Sequence, residues 1–144
     1  MNDTIRKFGY PDTLIRAYDH WVVLLRPQQV TLGSMVLACT EPVRDFHAVS
    51  AAGFAELHRV IGDIEHAARA LTSYQKINYL MLMMVDPDVH FHVIPRYPAP
   101  VSFDGVDFAD AGWPGPPALG EVTATDAAAN AALVTRLKAL WPTP

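Results

Sequence analysis

The chain contains a single cysteine, Cys39, among its 144 residues. No intrachain disulfide is therefore possible, and the apolar run around Cys39 reads it as a buried thiol suited to a reducing compartment. The longest apolar stretch, Tyr79 to Val85, falls far short of the roughly 20 residues that a membrane-spanning helix needs. The first residues, Met1-Asn2-Asp3-Thr4-Ile5-Arg6-Lys7, carry no apolar core of the kind found in a secretory leader. These absences predict a cytoplasmic protein with no membrane partner. Positive charge is also scarce. With 11 Lys and Arg against 15 Asp and Glu the net charge is -4, which gives no reason to expect binding to nucleic acid, where affinity comes from clustered cations. A small phosphorylated ligand would need only a local positive patch. No internal repeat is visible.

Apolar residues make up 51% of the chain and charged residues 18%, the balance of a compact domain rather than a disordered segment. The length fits one domain with a sizeable core. The expected class is α+β, with an antiparallel sheet of about five strands, one long helix on a face and a C-terminal helix. Leu14 to Tyr18 and Trp21 to Leu25 read as strands, and Gly33 to Thr40 forms a hairpin with the second of them. Ser50 caps a long helix whose core stripe is Phe54, Leu57, Ile61, Ile64, Ala68 and Leu71. Glu56, Arg59, Asp63, Glu65 and Arg69 form its solvated face. Lys76 to Val85 reads as a strand apolar on both sides and therefore covered twice. Residues 1–13 read as a loosely held lead-in without chemistry. The Pro- and Gly-rich stretch from Tyr97 to Glu121 reads as an irregular arm in which Phe103, Phe108 and Trp113 cover something apolar. Thr125 or Asp126 caps a last helix from about Ala127 to Leu140. The single domain thus spans 1–144, with a core at about 14–97 and an arm and helix at 98–144.

The stretch that carries chemistry is Asp86-Pro87-Asp88-Val89-His90-Phe91-His92-Val93-Ile94-Pro95-Arg96. In an extended strand, alternation puts Asp88, His90 and His92 on one face and Val89, Phe91 and Val93 on the other. Solvated strand faces are ordinarily filled by Thr, Lys, Ser and Glu rather than by paired imidazoles. His20 reads as a turn or edge residue, and His47, His58 and His66 show no pairing pattern.

This stretch resembles the motif of the histidine triad family of nucleotide hydrolases and transferases, His-φ-His-φ-His-φ-φ with φ apolar, often followed by Pro-Arg. Here Asp88 stands at the first histidine. Upstream, Leu32-Gly33-Ser34-Met35-Val36-Leu37 is similar to the family's Pro-Gly-His-Val-Leu-Val strand, with Ser34 in place of the histidine. The similarity runs from about Leu14 to about Tyr97. The resemblance implies two subunits joined into a continuous sheet, a homodimer. It also implies cleavage at the α-phosphate of a nucleotide, for example a dinucleoside polyphosphate or a nucleoside phosphoramidate. His90 Nε2 would attack phosphorus while the backbone carbonyl at position 88 holds Nδ1-H, and water would hydrolyse the nucleotidyl-His90. His92 would donate a hydrogen bond to a phosphate oxygen or the leaving group, with Ser34 as a second donor. Arg26 falls near a nucleotide-holding asparagine of the family, so it reads as a phosphate contact or as an exposed strand-end cation. The family's longer, glycine-rich phosphate-wrapping connection is replaced by a very tight turn at Asp86-Pro87. No tightly bound cofactor or metal is expected, although Mg could accompany a polyphosphate substrate.

Asp88 is expected to impair this chemistry. A carboxylate roughly 6 Å from the reacting centre would oppose an incoming phosphate by about 1 to 3 kcal/mol. Two other classes fit the same residues. Asp88, His90 and His92 could ligate a metal, but positions 88 and 92 lie about 13 Å apart along a straight strand, so a further ligand would have to come from a residue such as His20 or His47. The fold could also serve as a catalytically impaired nucleotide-binding or interaction module. A polar strand face without any ligand is the simplest alternative.

Overall fold

The computed structural model describes residues 1–143. Nearly every expected strand forms, and the connections decide what those strands carry. A short helix α1 (Asp3–Lys7) precedes β1 (Leu14–Ala17), β2 (Trp21–Leu25) and β3 (Met35–Cys39). A single 3-10 turn (Phe46–Ala48) leads into the long helix α2 (Ala51–Thr72), followed by β4 (Lys76–Leu80) and β5 (His90–Arg96). A small hairpin of β6 (Val101–Phe103) and β7 (Val106–Phe108) and the helix α3 (Ala127–Leu140) complete the chain. β1 to β5 form one antiparallel sheet in the order β1-β2-β3-β5-β4.

Both long helices are capped as the sequence predicts. The Ser50 side chain accepts from Gly53 N, and the Asp126 side chain accepts from Ala129 N. Both pack on the face of the sheet carrying Val23, Leu25, Met35, Leu37 and Val93. The fully buried residues of α2 are Gly53, Val60, Ile64, Ala67, Ala68 and Thr72, and of the expected stripe Ile64 and Ala68 are among them while Leu57, Ile61 and Leu71 pack half-buried against the same core. Phe54 is exposed and meets Phe46 at 5.4 Å between ring centroids. Near the start of α2, Trp21 Nε1 donates to the Gly53 carbonyl at 2.8 Å, and a Cβ on Gly53 would lie 2.5 Å from Glu41 Oε2 and 2.9 Å from Val49 Cγ1, so a larger residue would have to displace both side chains. The outer face of α2 is not merely solvated, since Glu56 accepts from the backbone of Asp19 and His20, Asp63 from Tyr18 and Glu65 from Tyr79.

Four expectations need correction. Residues 1–13 are not a loose lead-in: α1 lies on the second face of the sheet, where Ile5 and Phe8 pack with Val22, Leu24, Val36 and Ala38. Buried residues are accordingly found outside 14–97, among them Ile5, Phe103, Phe108, Leu133, Leu137 and Trp141. The 76–85 strand stops at Leu80, is the sheet edge and is only half-buried. Beyond it Met83 takes a positive φ of 49°, which ends the extended run, and Met84 and Val85 are left 87% and 81% exposed. The connection to β5 is therefore not a tight turn but the whole of residues 81–89. The arm is more regular than expected. Asp104 and Gly105 both have positive φ and turn β6 into β7, the geometry that a two-residue hairpin loop favours.

Candidate active site

The register of the sheet decides which residues face the outer side beside the histidines. His90 pairs with Ala38 and His92 with Val36. Ala38 and Val36 in turn oppose Val22 and Leu24 on β2. The two imidazoles thus stand at the border of an apolar patch and are almost wholly withdrawn from solvent, His90 at 1% and His92 at 8% exposure. Their ring centroids are 5.2 Å apart with the planes at 78°.

Their hydrogen bonds are complementary. His90 Nδ1 lies 2.7 Å from the backbone carbonyl of Asp88. A carbonyl only accepts, so Nδ1 carries the proton and Nε2 of the neutral ring bears the lone pair. His92 is held the opposite way. Arg26 Nε donates to its Nδ1 at 3.4 Å, so the proton of the neutral ring sits on Nε2. Burial, reinforced by the nearby Arg26 and His90, pushes the His92 pKa down to about 4, and the ring is neutral at pH 7. Arg26 itself is lowered by burial. Its Nη1 donates to the Gln28 carbonyl at 2.7 Å, and no carboxylate pairs with it among the described residues. The site therefore contains one lone-pair nitrogen, one N–H donor and one unpaired cation.

A cavity of about 150 Å³ opens on the pair, walled by both imidazoles, Asp86 and residues 82–85. Phe8 lies against both rings, 5.8 Å from His90 and edge-on to His92 at 5.6 Å. A larger cleft of about 430 Å³ between β4 and the arm is lined by Lys76, Trp113 and Arg96 among others. Its buried cation is already matched. Arg96 donates to Asp110 through Nε at 2.6 Å and Nη2 at 3.1 Å, to Asn78 Oδ1 at 2.8 Å and to the Gly115 carbonyl at 2.8 Å.

Two predicted site residues are placed differently from the expectation. Ser34 is fully buried, and its hydroxyl donates to the Thr31 carbonyl at 2.8 Å while accepting from Thr31 N at 3.0 Å. It closes a turn and is not a free donor. On β3 the residue facing His92 is Val36. The Asp88 carboxylate is not bare beside the imidazoles. Its Oδ2 accepts from Thr4 Oγ1 at 2.8 Å and from Thr4 N at 3.4 Å, and its Oδ1 lies 3.8 Å from Arg44 Nε. The expected repulsion of phosphate assumed an uncommitted charge, and these partners reduce it. The metal alternative also loses its ligand set. His20 Nδ1 is taken by Glu41 at 3.0 Å, His47 is exposed on the 3-10 turn, and no group of three His, Cys, Asp or Glu among the described residues is placed to hold an ion. The sequence reading missed Thr4, Phe8, Arg44 and Asp86. The signal for the first two was helix punctuation, with Asn2 as cap, Asp3 in the first turn and Arg6-Lys7 in the last.

No family model matches the sequence, and comparison with curated proteins finds no match. Solved structures do resemble it. A histidine triad protein from Bradyrhizobium japonicum superposes with a TM-score of 0.74 at 19% identity, over 98% of this chain and 96% of its own. One from Marinobacter aquaeolei gives 0.73 at 18% identity, over 98% and 94%. A hypothetical histidine triad nucleotide-binding protein from Sulfolobus tokodaii gives 0.67 at 13% identity, over 94% and 87%. No helix among the described residues is long and apolar enough to cross a membrane. At identities this low it is the architecture that is shared, and the protein has the histidine triad fold.

Proposed function

We propose that the protein is a nucleotide phosphohydrolase or nucleotidyl transferase acting at an α-phosphate through a covalent intermediate on His90. The observation that carries this reading is the opposite tautomers of the two imidazoles. The lone pair on His90 Nε2 is available to form a bond to phosphorus as the bond from phosphorus to the leaving group breaks. His92 donates its Nε2–H to a non-bridging oxygen as charge develops there. With a pKa near 4 it acts as a hydrogen-bond donor rather than a proton donor, because a neutral ring that gave up its proton would become an anion. The leaving group therefore takes its proton from water or carries it as a substrate acid. Arg26 supplies the positive charge that draws phosphate in. Water then attacks the nucleotidyl-His90, returning the imidazole and releasing the nucleotide.

The cavity of about 150 Å³ is smaller than the roughly 300 Å³ at which small-molecule sites begin. It suits the reacting phosphate, with the nucleoside reaching outside. The Sulfolobus neighbour is described as nucleotide-binding, in keeping with this substrate class. Two subunits joined at the β4 edge would cover its unpaired backbone, and light scattering should then report about twice 15.8 kDa. A monomer that stays monomeric with nucleotide present would remove the dimer from the proposal.

The test is incubation with a panel of dinucleoside polyphosphates and nucleoside phosphoramidates, followed by mass spectrometry of the trapped protein. Nucleotide should appear on His90 and disappear with turnover in His90→Ala. Unchanged turnover in that variant would sink the covalent mechanism. A nucleotide-binding module without turnover is the second reading, favoured by Phe8 seated on both rings, and binding without an adduct on any substrate would select it.

A further inference from the structure

Helix α1 has five residues, far below the length at which a helix is stable alone, so it exists because the rest of the chain holds it. Ile5 and Phe8 pack it on the sheet and Asn2 Nδ2 donates to the Cys39 carbonyl at 3.1 Å, while its other polar contacts to the rest of the fold fall on the connection between β4 and β5. Thr4 donates to Asp88 Oδ2 at 2.8 Å from its hydroxyl and at 3.4 Å from its backbone N–H. Lys7 Nζ reaches Asp86 Oδ1 at 2.8 Å. Thr4 is 2% exposed and Asp88 8%, and a hydroxyl bonded to a withdrawn carboxylate is among the stronger neutral-to-charged bonds. The helix ends by setting Phe8 on both imidazoles. Asp86 belongs to the wall of the histidine cavity, so that wall and the helix carrying Phe8 are tied together by the same acidic segment. A carboxylate suits this task better than an imidazole would: it offers one oxygen to Thr4 and the other to Arg44, whereas a neutral imidazole has one acceptor nitrogen and no charge.

We infer that Asp88 is a positioning residue: acting through Thr4, it seats helix α1 so that Phe8 shields one side of His90 and His92, confining their exposure to the cavity at residues 82–86, and release of that helix opens the shielded side. The inference rests on reading the imidazole pair as the reactive centre, yet its test needs no substrate. The exposed Leu82, Met84 and Val85 border the same cavity and offer the competing route, in which that loop moves and α1 stays.

Diethyl pyrocarbonate modifies unprotonated imidazole nitrogens, and peptide mass spectrometry reads each of the six histidines separately. His47, His58 and His66 are exposed and serve as internal standards. In the wild type His90 and His92 should label more slowly than these standards. Thr4→Val combined with Lys7→Gln should raise both rates by about ten to a hundred times, the range that loss of a bond to a charged group allows, and leave the standards unchanged. Phe8→Ala should raise them with α1 still seated. Thr4→Ser, which keeps the hydroxyl, should label like the wild type, a rescue that separates loss of the bond from general loosening. His90 and His92 rates unchanged in both the double variant and Phe8→Ala would overturn the inference and assign access to the 82–85 loop. A nucleotide panel that fails while the labelling result holds would discard the proposed function and leave the latch standing.

Discussion

Acidification to pH 5 should weaken this protein, because His92 is folded into a place that refuses a proton. Its folded-state pKa is about 4 against about 6.5 in an unfolded chain. A folded-state value below the unfolded one means that the unfolded chain binds the proton first. The associated stability is complete above about pH 6.5 and is lost as the pH falls towards about 4. The full difference corresponds to about 3 kcal/mol, of which about 2 kcal/mol is gone by pH 5. Glu41 stays clear of that window, because its carboxyl is held below its usual range chiefly by hydrogen bonds from Ser50. Urea unfolding of the wild type and of His92→Gln at pH 7.5, 6 and 5 isolates the effect, since the other histidines are common to both. The stability of the wild type relative to the variant should fall by about 2 kcal/mol across that range. A ring-proton titration of His92 should show a midpoint near 4. A difference that stays flat with pH, or a midpoint near 6.5, would refute the argument that burial beside Arg26 keeps this ring neutral.

Three further outcomes follow from the same contacts. Arg26→Ala removes the cation nearest the pair and should raise KM for an anionic nucleotide more than it lowers kcat, while shifting the His92 midpoint upward; a kcat loss with KM unchanged would count against phosphate capture. Asp88→His restores the family motif but breaks the bond to Thr4, so we expect a lower urea midpoint, worth about 1.5 to 3 kcal/mol, rather than the gain in rate that relief of charge repulsion would give. Nucleotide turnover raised tenfold in this variant would reinstate repulsion as the role of Asp88. Arg96→Ala leaves Asp110 buried without its partner and should cost about 3 to 5 kcal/mol, read by urea unfolding; a loss below about 1 kcal/mol would show that water replaces the guanidinium.

The alternation of His90, Phe91, His92 and Val93 was enough to place two imidazoles on one face and apolar side chains on the other, because period two is a property of the strand itself. Ser50 and Asp126 announced their helices for an equally local reason. Ser34 failed as a prediction because residue type does not say where a hydroxyl spends its bonds, and here a turn at 31–34 takes them. Helix α1 was hidden by its length, too short for any hydrophobic period to register. The apolar run 76–85 looked uniform, but nothing in composition distinguished the paired part from the part that turns at Met83. The hairpin of β6 and β7 was legible in Asp104-Gly105 and was obscured by the surrounding prolines.

Arg96 joins β5, Asn78 on β4 and two points of the arm in one guanidinium, so the arm cannot peel away locally without stranding a cation in the interior. Partial opening of residues 98–120 should therefore cost the buried ion pair as well as the local contacts, and the arm and the sheet are expected to melt together. Proteases should find no early cut in a segment whose proline and glycine content makes it look easy to cleave, and amide exchange in β6 and β7 should be slow in step with β5.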